Sequence, residues 1–192
     1  MASPPKTLYT PEDYLALERS GDAKHEYYNG EIFAMRGASK WHVLIVTNLV
    51  GELHFQLKDG PCQVYSTDLR VRVAPAGLYT YPDVIVVCDE PRFSDEQEDT
   101  LVNPALIIEV LSESTKDYDR GGKFEQYRTL DSFVEYLLIA QDRPHVEHHT
   151  RQPGGGWILH ETNKLDDTIQ LKSVPCSVRL SAIYSKVALP GS

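Results

Sequence analysis

The chain has 192 residues, 41% of them hydrophobic, which suits one compact domain with a real core spanning residues 1–192. A formal charge of -9 and a pI near 5.2 argue against strong nonspecific binding to nucleic acid, because that affinity comes largely from Lys and Arg neutralising phosphates. Met1 to Ser20 has no charged start followed by an apolar run, so a cytoplasmic protein without a membrane segment is expected; Cys62, Cys88 and Cys176, odd in number and widely spaced, read as buried thiols.

Thr10 followed by Pro11, Glu12 and Asp13 predicts a helix start, with a hydroxyl cap, proline in the first turn and acids near the positive end of the dipole; Gly21 closes it. Asn29-Gly30, between strand-like residues from Glu26 to Met35, predicts a tight hairpin, since both turn positions need positive φ. Ser39 to Lys58 contains no proline and carries Leu44, Val46, Leu49, Val50, Leu53 and Leu57 at mostly helical spacing, which predicts a long core-packing helix. Gln63 to Val73 reads as one strand with Leu69, Val71 and Val73 on an apolar face and Asp68, Arg70 and Arg72 on a charged one.

Asp83 to Cys88 and Ala105 to Leu111 are near-continuous apolar runs, the pattern of central strands covered on both faces, and the acidic stretch from Asp89 to Asn103 reads as a solvated loop. Gly121-Gly122 leads into a helix over Lys123 to Leu130, followed by strands over Val134 to Ala140, His145 to Thr150 and Trp157 to Glu161. The order of elements indicates an α/β or α+β fold in which a mixed β-sheet is flanked by helices.

Two carboxylates stand where the apolar pattern does not want them. Asp83 opens Val84-Ile85-Val86-Val87 and Glu109 interrupts Leu106 to Leu111; an unpaired buried carboxylate costs several kcal/mol, so such residues are usually paired, protonated or bound to a cation. If their strands are neighbours, Asp83 and Glu109 converge on one hard divalent cation, Mg²⁺ or Mn²⁺, with the Val110 carbonyl completing the shell. Lys123 would supply positive charge to a phosphate or orient an attacking water. Asp119, Lys123 and Tyr127 recur every fourth residue, so a helix would place them on one face. The glycine pair would cost about 2 kcal/mol inside a helix, marking either a late helix start or a close backbone approach.

His25-Glu26-Tyr27 with Asn29-Gly30-Glu31, Gly37-Ala38-Ser39 with His42, Tyr81-Pro82-Asp83-Val84, Asn103-Pro104, Glu109-Val110-Leu111-Ser112, Ser114-Thr115, Asp119, Lys123, Tyr127 and Glu135-Tyr136 together resemble the Uma-two family. That family is counted among the restriction-endonuclease-like proteins of the PD-(D/E)XK nuclease superfamily. The resemblance covers nearly the whole chain and implies a nuclease-like core in which Asp83 and Glu109 bind the metal and Glu26 joins as a further acidic member. One departure stands out: Leu111 occupies the place, two residues after the glutamate, of the superfamily's usual lysine, which implies that Lys123 has taken over that role.

The expected function is hydrolysis of DNA phosphodiester bonds with Mg²⁺ or Mn²⁺, by an enzyme that pairs two sites in a homodimer. A non-catalytic module keeping the nuclease fold is the alternative, and a glycosidase acid/base pair is disfavoured by the presence of only Trp41 and Trp157. Arg70, Arg72, Lys116, Arg120, Lys123 and Arg128 are candidates for a local basic stripe. The blander expectation for Glu109 is an ion pair with Arg70 or Arg72, and for His42 a local hydrogen bond. His148 and His149 must point to opposite faces of a strand, so with His145 they read as surface residues.

Overall fold

A computed structural model describes residues 8–189. Helix α1 (Pro11–Ser20) starts as expected: Thr10 accepts from the Asp13 backbone, and Asp13 answers from the third position of a capping box. The hairpin follows, with β1 (His25–Tyr28) and β2 (Glu31–Ala34) joined by Asn29 and Gly30 at φ of 47° and 92°. Helix α2 (Lys40–Leu57) is capped by the Ser39 hydroxyl, which accepts from the His42 backbone N–H.

The remaining strands are β3 (Cys62–Ser66), β4 (Arg70–Val73), β5 (Leu78–Thr80), β6 (Val84–Cys88), β7 (Thr100–Leu101), β8 (Leu106–Leu111), β9 (Glu135–Ala140), β10 (Val146–Arg151), β11 (Trp157–Thr162), β12 (Thr168–Gln170) and β13 (Ser177–Arg179). Six form one mixed sheet in the order β11-β10-β9-β8-β6-β3, where only β8 and β9 run parallel; five form a second sheet, β2-β1-β5-β4-β7; β12 and β13 pair separately. The expected mixed sheet flanked by helices is therefore present.

The six-stranded sheet is covered on both faces, which explains its apolar central strands. Val84, Val86, Leu106, Ile108, Leu137 and Ile139 pack against Ile45, Leu49 and Leu53 of α2. Alternate residues Ile85, Val87, Ile107, Tyr136 and Leu138 pack on the other side with Phe124, Tyr127, Phe133 and with Val71 and Leu78 of the second sheet.

Several expectations are corrected. Gln63 to Val73 is not one strand: a turn at residues 67–69 separates β3, which pairs with β6, from β4, which pairs with β5 and β7 in the other sheet. The polar run Ser66-Thr67-Asp68 marks the turn, and Val64 is out of phase with Leu69, Val71 and Val73, so the apolar face changes where the chain changes sheet. The stretch from Asp89 to Asn103 is not wholly solvated, because β7 lies buried beside β4. Cys62 and Cys88 are not thiols but a disulfide, since antiparallel pairing sets these residues directly opposite each other; Cys176 is a buried thiol. His148 is buried against Glu135, and His149 packs on Phe124, so neither is a plain surface residue, although they do occupy opposite faces.

The helical stretch after β8 begins earlier than expected. Helix α3 (Lys116–Tyr118) continues through a π turn at Asp119–Lys123 into α4 (Phe124–Tyr127), and a short α5 (Leu180–Ile183) lies near the end of the described chain. π turns are rare and favour functional sites. Gly122 allows a close approach: a Cβ there would sit 3.2 Å from the Tyr118 ring. No helix among the described residues is long and apolar enough to cross a membrane.

Candidate active site

Asp83 is the residue just before β6, and the pairing of Val84 with Ile108 on β8 places it beside Glu109. Both of its oxygens are engaged. Oδ2 accepts from the Val110 backbone N–H at 2.7 Å, and Oδ1 lies 2.8 Å from Nε2 of His42 in the first turn of α2. Val110 thus meets Asp83 through its N–H. In an extended strand a residue's N–H and C=O leave on the same side, so the Val110 carbonyl faces that flank as well.

Glu109 is 4% exposed. Its Oε1 lies 3.0 Å from the Lys123 ammonium and accepts from the Tyr127 hydroxyl at 3.0 Å. Neither Arg70 nor Arg72 pairs with it. Lys123 also lies 3.1 Å from Glu26 of β1 and 3.6 Å from Asp119 one π turn earlier. Glu26 accepts from the hydroxyl of Thr80 on β5, and Tyr136 of β9 donates to the Asp119 backbone carbonyl at 3.1 Å. Asp83, Glu109, Lys123 and Glu26, separated by up to 97 positions in the chain (123 − 26), are therefore brought together. The site combines the six-stranded sheet, the second sheet, α2 and the π turn.

The electrostatics are unbalanced. Burial pushes the carboxyl groups of Glu109 and Asp119 above the ordinary range, and Lys123 only partly offsets it. Burial pulls the Lys123 ammonium down, but Glu109, Glu26 and Asp119 more than reverse that and hold it well above its usual value. The Tyr127 and Tyr136 hydroxyls are raised by burial and then by Glu109. Four carboxylates thus share one lysine and one histidine.

That donor set fits a hard divalent cation: it is all oxygen, excess in negative charge and buried. Among the described residues no three His, Cys, Asp or Glu side chains form a ready cage; Mg²⁺ can use one or two carboxylates, with waters and phosphate oxygens in its other positions.

Sequence reasoning left His42 and Tyr127 outside the site. The every-fourth-residue spacing that ends at Tyr127 was the signal for the second. For His42 the hints were its place after a capping serine and its presence among the residues that carry the family resemblance. The basic stripe does not form: Arg70 is 3% exposed and 2.9 Å from Asp99, Arg120 lies 2.7 Å from Glu147 and Lys116 2.7 Å from Glu113. Arg72 and Arg128 lie over the rings of Tyr79 and Phe124. The charges expected to form the stripe are thus engaged with neighbouring carboxylates or rings.

A family model, Uma2, described as "Putative restriction endonuclease", matches residues 11–182. The chain is 35% identical over 186 residues to the uncharacterized protein slr1290 of Synechocystis sp., covering 97% of this chain and 96% of that one. It is 37% identical over 154 residues to the uncharacterized protein sll1609 of the same organism, covering 80% and 87%. A crystal structure of a protein described as a putative nuclease belonging to DUF820, from Anabaena variabilis, superposes with a TM-score of 0.74 at 18% identity, covering 96% of this chain and all of that one; at this identity the likeness is one of fold.

Proposed function

The chain belongs to the Uma2 family of putative restriction endonucleases, and on that premise we propose that it is a metal-dependent endonuclease of the PD-(D/E)XK type that hydrolyses phosphodiester bonds in DNA. The observation that carries this reading is the buried Lys123 ammonium held among Glu109, Glu26 and Asp119, beside Asp83. Burying that many charges costs several kcal/mol per ion before pairing offsets it, and packing alone does not call for it. A lysine at position 111 would share the face of Glu109. Leu111 fills that place as a buried core residue, and Lys123 reaches the same carboxylate from the π turn.

Asp83 and Glu109 would hold Mg²⁺ or Mn²⁺, with the Val110 carbonyl as a further ligand. The bound ion would polarise the phosphate and acidify a water. Lys123, surrounded by carboxylates, stays an ammonium. Its task is to neutralise charge that builds on the phosphoryl oxygens, as a preformed donor that needs no reorganisation. Glu26 and Asp119 position that ammonium, while His42 and the Val110 N–H fix the Asp83 carboxylate. Cutting both strands of a duplex would call for a two-fold dimer presenting two sites.

The test is calorimetric titration of Mg²⁺ and Mn²⁺ into the wild type and an Asp83→Asn, Glu109→Gln double variant, with plasmid and single-stranded DNA cleavage assayed on the same samples. Metal binding and cleavage that both vanish in the variant support the reading; a wild type that binds no metal, even with DNA present, sinks it. A non-catalytic binding module is the second reading, favoured by the engagement of both Asp83 oxygens and by the absence of a ready cage among the described residues.

A further inference from the structure

The hairpin that delivers Glu26 also delivers exposed aromatic surface. Glu26 on β1 is the direct cross-strand partner of Phe33 on β2, so the two side chains share a face with their Cβ atoms roughly 5 Å apart. Tyr28, two residues beyond Glu26, lies on that same face. Phe33 is 48% and Tyr28 36% exposed. Across from them, Tyr118 is 37% exposed, packs beside Gly122, and is close enough to feel the charge of Glu26 and the phenol of Tyr28. Its hydroxyl donates to Gln126 at 3.2 Å, which fixes the ring. Three aromatic side chains therefore rim a cluster of carboxylates, a place where desolvation alone would not put them.

The charge distribution bears on what fits there. Duplex DNA carries one charge per about 1.7 Å of axis, and proteins hold it by neutralising phosphates with Lys and Arg. Here the net charge is -9, and Arg70, Lys116, Arg120 and Lys123 are all committed to carboxylates. Single strands can instead be held by stacking, because every base has a π face. Resting on the reading of the Glu26, Glu109 and Lys123 cluster as a nuclease site, we propose that its substrate is an unpaired DNA strand whose bases next to the scissile phosphate stack on Phe33, Tyr28 and Tyr118. A single strand needs one active site rather than two.

The test uses a short oligonucleotide containing 2-aminopurine, whose fluorescence falls when the base stacks, titrated in EDTA so that cleavage does not intervene. Wild type, Phe33→Leu, Tyr118→Leu and Phe55→Leu are compared, on single-stranded probe and on the same probe annealed to its complement. Phe55 is the control: it is 70% exposed but lies near the far end of α2 from His42. The expected result is quenching with the single strand, about tenfold tighter binding than to the duplex, about tenfold weaker binding in the Phe33 and Tyr118 variants, as for the loss of one base stack, and no change at Phe55. Equal or tighter duplex binding, or Phe33→Leu and Tyr118→Leu behaving like wild type, overturns the proposal. Cleavage with Mn²⁺ then separates the two claims. Stacking without cleavage leaves the rim and removes the nuclease, whereas duplex cleavage indifferent to Phe33 leaves the nuclease and removes the rim.

Discussion

Glu109 and Glu135 are both buried glutamates on the neighbouring parallel strands β8 and β9, and they experience opposite environments. Glu135 accepts from the backbone N–H groups of Lys172 and Ser173, from the Ser173 hydroxyl at 2.5 Å and from His148 at 2.5 Å. Burial alone would raise its carboxyl, but these donors win and hold it below the ordinary range. Glu109 has one lysine and one phenol as partners and three other acids around it, so burial wins and its carboxyl rises. The difference separates a carboxylate that pins a loop to a strand from one left electrostatically unsatisfied. Such dissatisfaction is what the proposed nuclease function would use to accept a cation and a phosphate.

The comparison can be broken most sharply through activity. Glu109→Gln is expected to reduce DNA cleavage by about a hundredfold or more while leaving the melting temperature equal or higher; a variant that unfolds would show that Glu109 is structural. Glu135→Ala should do the reverse. It strands His148 and three other donors in the interior, for a loss of about 3–5 kcal/mol in urea denaturation, with cleavage per folded molecule unchanged.

The pH dependences should have opposite signs. For Glu109 the folded state holds its proton to higher pH than the unfolded state, so its contribution to stability declines as pH rises above the ordinary carboxylate value of about 4.3. The melting-temperature advantage of Glu109→Gln over wild type should therefore grow with pH above that value. For Glu135 the folded pKa is depressed, so its stabilisation is fully present above the ordinary value and is lost as pH falls through the folded one. The deficit of Glu135→Gln should shrink on acidification. Parallel melting curves from acid to neutral pH check both, and slopes of the same sign would dissolve the contrast.

A smaller effect is expected at His42→Ala, which removes one of the two donors to Asp83: about 1 kcal/mol of stability and about tenfold in cleavage, with His42→Asn partly restoring both. Smallest of all, Lys116→Ala breaks the exposed pair with Glu113 and should move the denaturation midpoint by less than about 1 kcal/mol.

Much of this was legible in the sequence because it follows from local physics. Asn29-Gly30 needs positive φ and marks the hairpin; Ser39 and the apolar spacing after it mark α2; Asp83 and Glu109 stand out because strands covered on both faces leave no ordinary place for a charge. Lys123 was expected as the positive charge a phosphate site needs; its spacing with Asp119 and Tyr127 supported the placement, and the family resemblance implied the role. Tertiary structure alone decided which sheet each half of Gln63 to Val73 would join, that Cys62 would meet Cys88, that Arg70 would be buried against Asp99 and that His42 would reach Asp83. The reason is that side-chain periodicity reports which residues of one element share a face, whereas a partner many positions away is set by how the elements stack, and no local pattern carries that information.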